Sequence, residues 1–144
     1  MSLIGVLLLP TAGHAAGTSS LSLSPNSGSI KKGDTITVAV HENSVTPINA
    51  VEADVIYDPT MFQFVSYDNS TGAFGDPNND YFISNTATYS PTSAVVNLAG
   101  ALLNNGSGTA PTLTGDQIVA TVTFTALAGA GSSSLSFNPN TSKV

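Results

Sequence analysis

The run QIVATVTFTAL, residues 117–127, constrains the fold of this chain more than any other stretch. Ile118, Ala120, Val122, Phe124 and Ala126 alternate with Val119, Thr121, Thr123 and Thr125. A period of two puts the first set on one side of a strand and the mostly threonine set on the other. One side is apolar and the other polar, which predicts a strand with one face on a core. Residues 34–41 repeat the pattern, with Ile36, Val38 and Val40 inward and Thr35, Thr37, Ala39 and His41 outward.

Further period-two runs predict strands near 20–24, 49–57, 61–67, 80–84, 86–90, 93–99 and 133–137. Between them lie PNSGSIKKGD, ENSVTP, NSTGAFGDPNN, NNGSGTAPTLTGD and LAGAGSSS, whose Gly, Pro, Asn and Ser mark loops. No window carries apolar residues at helical spacing with caps, so the expectation is all-β, a two-sheet antiparallel sandwich with jelly-roll topology. The 144 residues suffice for one domain with a real core. The residues expected between the sheets are Ile36, Val38, Val40, Val55, Tyr57, Phe62, Phe64, Ile118, Val122 and Phe124.

Composition narrows the function. A net charge of −6 with three cations disfavours nucleic acid and anionic membrane surfaces as partners. With no cysteine there is neither a disulfide framework nor thiol chemistry. The apolar share of 41% argues against disorder, and Ser, Thr, Asn and Gly supply the polar surface, as in extracellular β-proteins. Residues 3–9, LIGVLLL, are too short to span a bilayer. Followed by small residues up to Ala15 and Ala16, they read as the apolar region and cleavage zone of a signal peptide, without a preceding basic residue. Residues 1–16 are therefore expected to be a leader and the protein secreted or at the cell surface; the other reading of the run is a first β-strand.

The stretch VEADVIYDPTMFQFVSYD, residues 51–68, holds the main candidate site. Glu52 and Asp54 fall on one strand face, opposite Ala53, Val55 and Tyr57, about 7 Å apart. That separation is within the range of glycosidase carboxylates. A glycosidase also needs a cleft, sugar platforms and a carboxyl in an apolar pocket, and the sequence has no Trp and no second charged constellation. The expectation is an exposed acidic strand face, available to a partner, on a protein that is not an enzyme.

Asp76, Asn78 and Asp80 space oxygen ligands as a calcium loop begins, but Tyr81 and Ala87 stand where Gly and the bidentate Glu belong. A looser calcium site or a plain Asp-Pro-Asn turn remains. His41 beside Glu42 ends a strand, and no Ser-His-Asp set can be assembled. Tyr67, Phe74, Tyr81 and Tyr89 would make a sugar platform if they surfaced together, though alternation points most of them inward. Asn69, Asn105 and Asn140 each open a glycosylation sequon, a pattern that arises by chance in so Asn/Ser/Thr-rich a chain.

Lys32-Gly33-Asp34 opening a Thr/Val strand, then AVEADVIYDPTMFQFVS, GDQIVATVTFTAL and SSLSFNP, resemble a cohesin domain over roughly residues 19–144. Cohesins are nine-stranded jelly-roll modules that bind dockerin modules at bacterial and archaeal surfaces. The resemblance implies a non-catalytic module that attaches proteins, with a dockerin-like or cell-surface protein as partner. Cohesins that bind dockerin tightly often carry Asn and Asp, two apart, before Tyr-Asp-Pro; Ala50 and Glu52 stand there, and Asn49 lies one residue off. Asn49, Glu52, Asp54 and Ile56 are the candidate partner contacts. The resemblance also implies a ninth strand after LSFNP, so the domain at 19–144 is expected to be truncated at its C-terminus. Two alternatives stay open: a carbohydrate-binding module on polysaccharide, and a filament subunit that self-assembles by strand addition.

Overall fold

In a computed structural model the chain is described at residues 4–7, 19–25, 27–104, 106, 108–109, 111–129 and 131–144. Its strands are β1 (Ile4–Leu7), β2 (Ser19–Ser24), β3 (Ser27–Ile30), β4 (Thr35–Ile48), β5 (Ala50–Tyr57) and β6 (Phe62–Asp68), followed by β7 (Asp80–Ser90), β8 (Ser93–Leu102), β9 (Leu113–Ala126), β10 (Gly131–Ser133) and β11 (Ser136–Phe137). Two four-stranded antiparallel sheets, ordered β2-β4-β9-β6 and β11-β5-β8-β7, form the sandwich. A third ribbon, β10-β1-β3, pairs β1 antiparallel to β3 and parallel to β10. The expected all-β antiparallel sandwich is what the chain forms.

The core lies between the two sheets. Phe124 of β9 is its centre, with ring centroids 5.1 Å from Tyr57, 6.1 Å from Phe62 and 6.2 Å from Phe64. Of the residues expected inside, Ile36, Val38, Val40, Val55, Tyr57, Phe62, Val122 and Phe124 are buried, and Phe64 is half-buried against them.

Ile118 is the exception, 37% exposed. Val40 pairs with Ala120 but His41 pairs with Ile118, so Val119 is an extra residue in β9. Such a bulge shifts the alternation by one. Val119 and Ala120 are both buried in succession, and Ile118 turns outward beside His41.

Other expectations shift for related reasons. ENSVTP, read as a loop, belongs to β4, because β9 extends back to Leu113 and pairs it; Asn and Ser there were turn signals overridden by a partner strand. The runs 80–84 and 86–90 are one strand, β7, and β3 lies within a segment read as loop.

The buried part of β4 carries an unusual polar pair. Glu42 and Ser44 are buried on its inner face, and neither Glu42 oxygen nor Ser44 Oγ has a hydrogen-bond partner among the described residues. Burial disfavours a charged carboxylate and pushes Glu42 above its ordinary value of 4.5; the nearby Ser44 hydroxyl offsets part of this, and the charge of Asp116 adds to it. His41, on the outer side, donates from Nδ1 to Asp116 Oδ1 at 3.0 Å.

Two outcomes follow for stability. Phe124→Ala should cost about 3–5 kcal/mol in urea unfolding, whereas Ile118→Ala should cost less than about 1 kcal/mol. Equal losses would contradict the bulge. A carboxyl whose folded pKa is raised contributes stability that is complete below its unfolded value near 4.5 and lost as pH rises through the folded value. Glu42→Gln should therefore raise the melting temperature at neutral pH and flatten its dependence on pH above 4.5.

Candidate functional site

The outward face of the sheet β11-β5-β8-β7 can be read directly from its register, because residues paired across antiparallel strands share a face. Successive rows are Ala50–Ala101–Tyr81, Glu52–Ala99–Ile83, Asp54–Asn97–Asn85 and Ile56–Val95–Ala87. The alternate positions Val51, Ala53, Val55 and Tyr57 fill the core. Glu52, Asp54 and Ile56 thus lie on one outer face, as the period of β5 requires. Asn49 is exposed in the bend before β5, where its carbonyl accepts the Leu102 N–H at 2.8 Å.

This face is not the open acidic surface expected from the sequence. Asp54 is only 5% exposed. The chain after β11 folds over it: the Thr141 hydroxyl donates to Asp54 Oδ2, and the Asn97 side-chain amide donates to Oδ1 at 2.5 Å. The Asp54 N–H donates to Ser142 Oγ at 3.0 Å, and its carbonyl accepts the Asn138 N–H at 2.9 Å. Glu52 is bridged to Lys143 by two main-chain hydrogen bonds of 2.7 Å, and its Oε1 accepts Asn97 Nδ2 at 3.2 Å. The acids pin the edge segment 138–143 to β5. Glu52 stays half-exposed at the rim.

The open part of the face lies on the other side of these acids, and it is apolar. Tyr81 is 56% exposed and Ile83 41%. Next to them the small side chains of Ala50, Ala99 and Ala101 leave a groove of about 360 Å³, closed at its far end by Lys143 and Val144. Tyr89, farther along β7, is also exposed. The sequence does not single out Ile83, and it offers Tyr81 and Tyr89 only as members of a sugar platform expected to point mostly inward; Tyr67, Tyr81 and Tyr89 are exposed and only Phe74 is buried. The signal was present in DYFISNTATYS, where Tyr81 and Ile83 alternate with Phe82 and Ser84, but only the register shows which set faces out.

The acidic loop before β7 is a built turn. Asp76 Oδ1 accepts the Asn78 N–H at 2.9 Å and Oδ2 accepts Asn79 Nδ2 at 2.5 Å, while the Asp76 N–H donates to Asp80 Oδ2 at 3.0 Å. The Asn78 N–H, foremost, holds the Asp76 carboxyl below the usual carboxylate range. Among the described residues no group of three or more His, Cys, Asp or Glu comes together. Asp76 thus spends both carboxylate oxygens, and Asp80 one of its two, on holding their own loop.

Comparison with known proteins agrees with the sandwich. The cohesin domain family model matches residues 20–143. CaCohA2 from Clostridium acetobutylicum in solution is 24% identical, covering 88% of this chain and 77% of that one, at a TM-score of 0.59. CaCohA2 in complex with CaDoc0917 is 26% identical, with 78% and 77% covered and a TM-score of 0.57. The third cohesin ScaC of Acetivibrio cellulolyticus, in complex with the ScaB dockerin, is 16% identical, with 78% and 76% covered and a TM-score of 0.56. No curated protein matches the chain.

Because Asp54 is a buried hub, Asp54→Ala should destabilise the domain by roughly 1–3 kcal/mol, leaving buried donors unpaired. Glu52→Gln, at the half-exposed rim, should change stability by less than about 0.5 kcal/mol. Urea unfolding of the two variants checks this, and equal, negligible effects would contradict the pinning of the edge segment.

Proposed function

Since the chain belongs to the cohesin family, we propose that it is a non-catalytic attachment module whose outer β5-β8-β7 face docks a dockerin-like protein. The observation that carries this reading is the exposed Tyr81–Ile83 line beside the groove of alanines. Protein interfaces draw most of their affinity from a few aromatic and apolar anchors seated in close-fitting pockets, inside a polar rim. Here Tyr81 and Ile83 are the anchors, and the alanine groove receives a side chain from the partner. Glu52 and Lys143 stand at the rim, where charges set orientation and on-rate more than affinity. The choice of a dockerin-like partner is supported by the similarity to CaCohA2, whose structure is known with CaDoc0917 bound.

The face is suited to this work by its stiffness. Asp54, Asn97, Thr141 and Ser142 clamp the sheet edge, so little side-chain or loop ordering remains to be done on binding. On the same reading the module works outside the cell. The support is the apolar run of residues 3–9 followed by small residues up to Ala16, the pattern of an exported leader. The exported chain then begins near Ala16 and lacks β1.

Replacing an anchor tests the face. Ile83→Asp and Tyr81→Ala should each weaken binding to immobilised dockerin modules by at least about tenfold while leaving the melting temperature within a few degrees of the parent. Binding unchanged in both variants would refute the assignment of the face. Mass spectrometry of the protein from its own cells tests the location: an N-terminus near Ala16 is expected, and an intact residue 3–9 segment would refute it.

A further inference from the structure

The two sheets are closed differently along their flanks. On one flank the sheets end in β2, which the chain continues into β3, and in β11, which it enters from β10. On the other, β6 and β7 are the outer strands of their sheets, each paired on one side only, to β9 and to β8. Between them lies a second cavity of about 350 Å³, which shares only Tyr81 with the alanine groove of the docking face.

Its walls come from both sheets. Tyr67 projects from β6 and Phe82 from β7, their ring centroids 5.7 Å apart and their planes 30° from parallel. Tyr67 remains 41% exposed. Below them the loop joining β6 to β7 is rigid. Asn69 Nδ2 donates to the Phe74 carbonyl at 2.8 Å, and Asp68 Oδ1 accepts the Ser70 N–H at 2.8 Å. Phe74 is buried against Gly100, where an added Cβ would lie 2.6 Å from the ring. Asn69, Ser70 and Asp80 put oxygens around this aromatic floor. The cavity is therefore preformed rather than made by a closing loop.

We propose that this cavity is a binding site for a neutral saccharide ring. Ligand sites are concave and largely apolar, with a few fixed polar groups, and run from about 300 Å³ upward, so this one fits a single ring and not an extended chain. A sugar presents a C–H face, which packs on exposed aromatic carbon, and a girdle of hydroxyl donors. Asp80, Asn69 and Ser70 offer the acceptors those donors need. Phosphorylated or acidic ligands are disfavoured, because Asp80 lines the cavity and none of the three lysines does. Tyr81 of the docking face also lines the rim of this cavity, but the Tyr67–Phe82 pair and the Asn69, Ser70 and Asp80 oxygens do not belong to that face, so the proposal stands whether or not that face binds a dockerin.

Amide NMR titration of the whole chain with cellobiose, mannobiose, N-acetylglucosamine and glucuronic acid tests it. The neutral sugars include at least one that shifts the amides of Tyr67, Asn69, Ser70, Asp80 and Phe82 saturably, with a dissociation constant on the order of 1 mM. Tyr67→Ala should weaken that binding at least tenfold, Ser70→Ala should weaken it less, and Tyr67→Phe, which keeps the ring, should stay within about threefold of the parent. With no Trp in the chain, tyrosine emission gives a second reading of the same titration. The proposal is overturned if none of the neutral sugars shifts these amides saturably, if glucuronic acid binds as well as they do, or if folded Tyr67→Ala binds as the parent does.

Discussion

Everything in this domain depends on one layer of apolar side chains held between two sheets and centred on Phe124. With no cysteine and three lysines, the chain has no disulfides and few charges with which to reinforce itself. Burial of Phe124 against Tyr57, Phe62 and Phe64, with Val38, Val40, Val55, Leu98 and Val122 around them, is the main stabilising term. Because a strand alternates its side chains, committing one face to this layer leaves the other face free. The outer residues of β5, β7 and β8 are accordingly available for recognition, and the core fixes their spacing.

What the outer face does with that freedom differs from one side to the other. Near β11 it is polar and tied down, with Asp54 drawing three side chains and one main-chain N–H to itself. Toward β7 it is open and apolar, with Tyr81 and Ile83 beside alanines. The polar half makes the edge rigid, and the apolar half offers contact area. A buried acid serving as a structural pin and an exposed apolar line are complementary parts of one surface. Glu42 is the counter-example: a buried carboxyl with no hydrogen-bond partner among the described residues, which the rest of the core must outweigh.

Most of the fold was legible in the sequence, since alternation is a local property and Thr35 to Val40 or Ala120 to Ala126 show it without interruption. Legibility failed where the cause was remote. Ile118 follows the inward pattern, but the bulge at Val119 is produced by pairing with β4 and has no local mark. Glu42 to Thr46 look like a turn until a partner strand is supplied. Asp54 looks exposed because its cover arrives from Ser142, 88 residues along the chain. Placing Glu52, Asp54 and Ile56 on one outer face needed only the period of the strand. Seeing that Tyr81 and Ile83 share that outer face with the alanines needed the register between β5, β8 and β7, which no local pattern contains.

The central claim is that recognition takes place on the outer face of β5, β8 and β7, and hydrogen exchange on the complex tests it most directly. With a bound dockerin module, the account predicts slowed exchange in peptides covering β7 and the 97–102 end of β8, with β4 and β9, the Thr-lined central strands of the opposite sheet, unchanged. Protection concentrated on β4 and β9, with β7 and β8 exchanging as in the free protein, would contradict it.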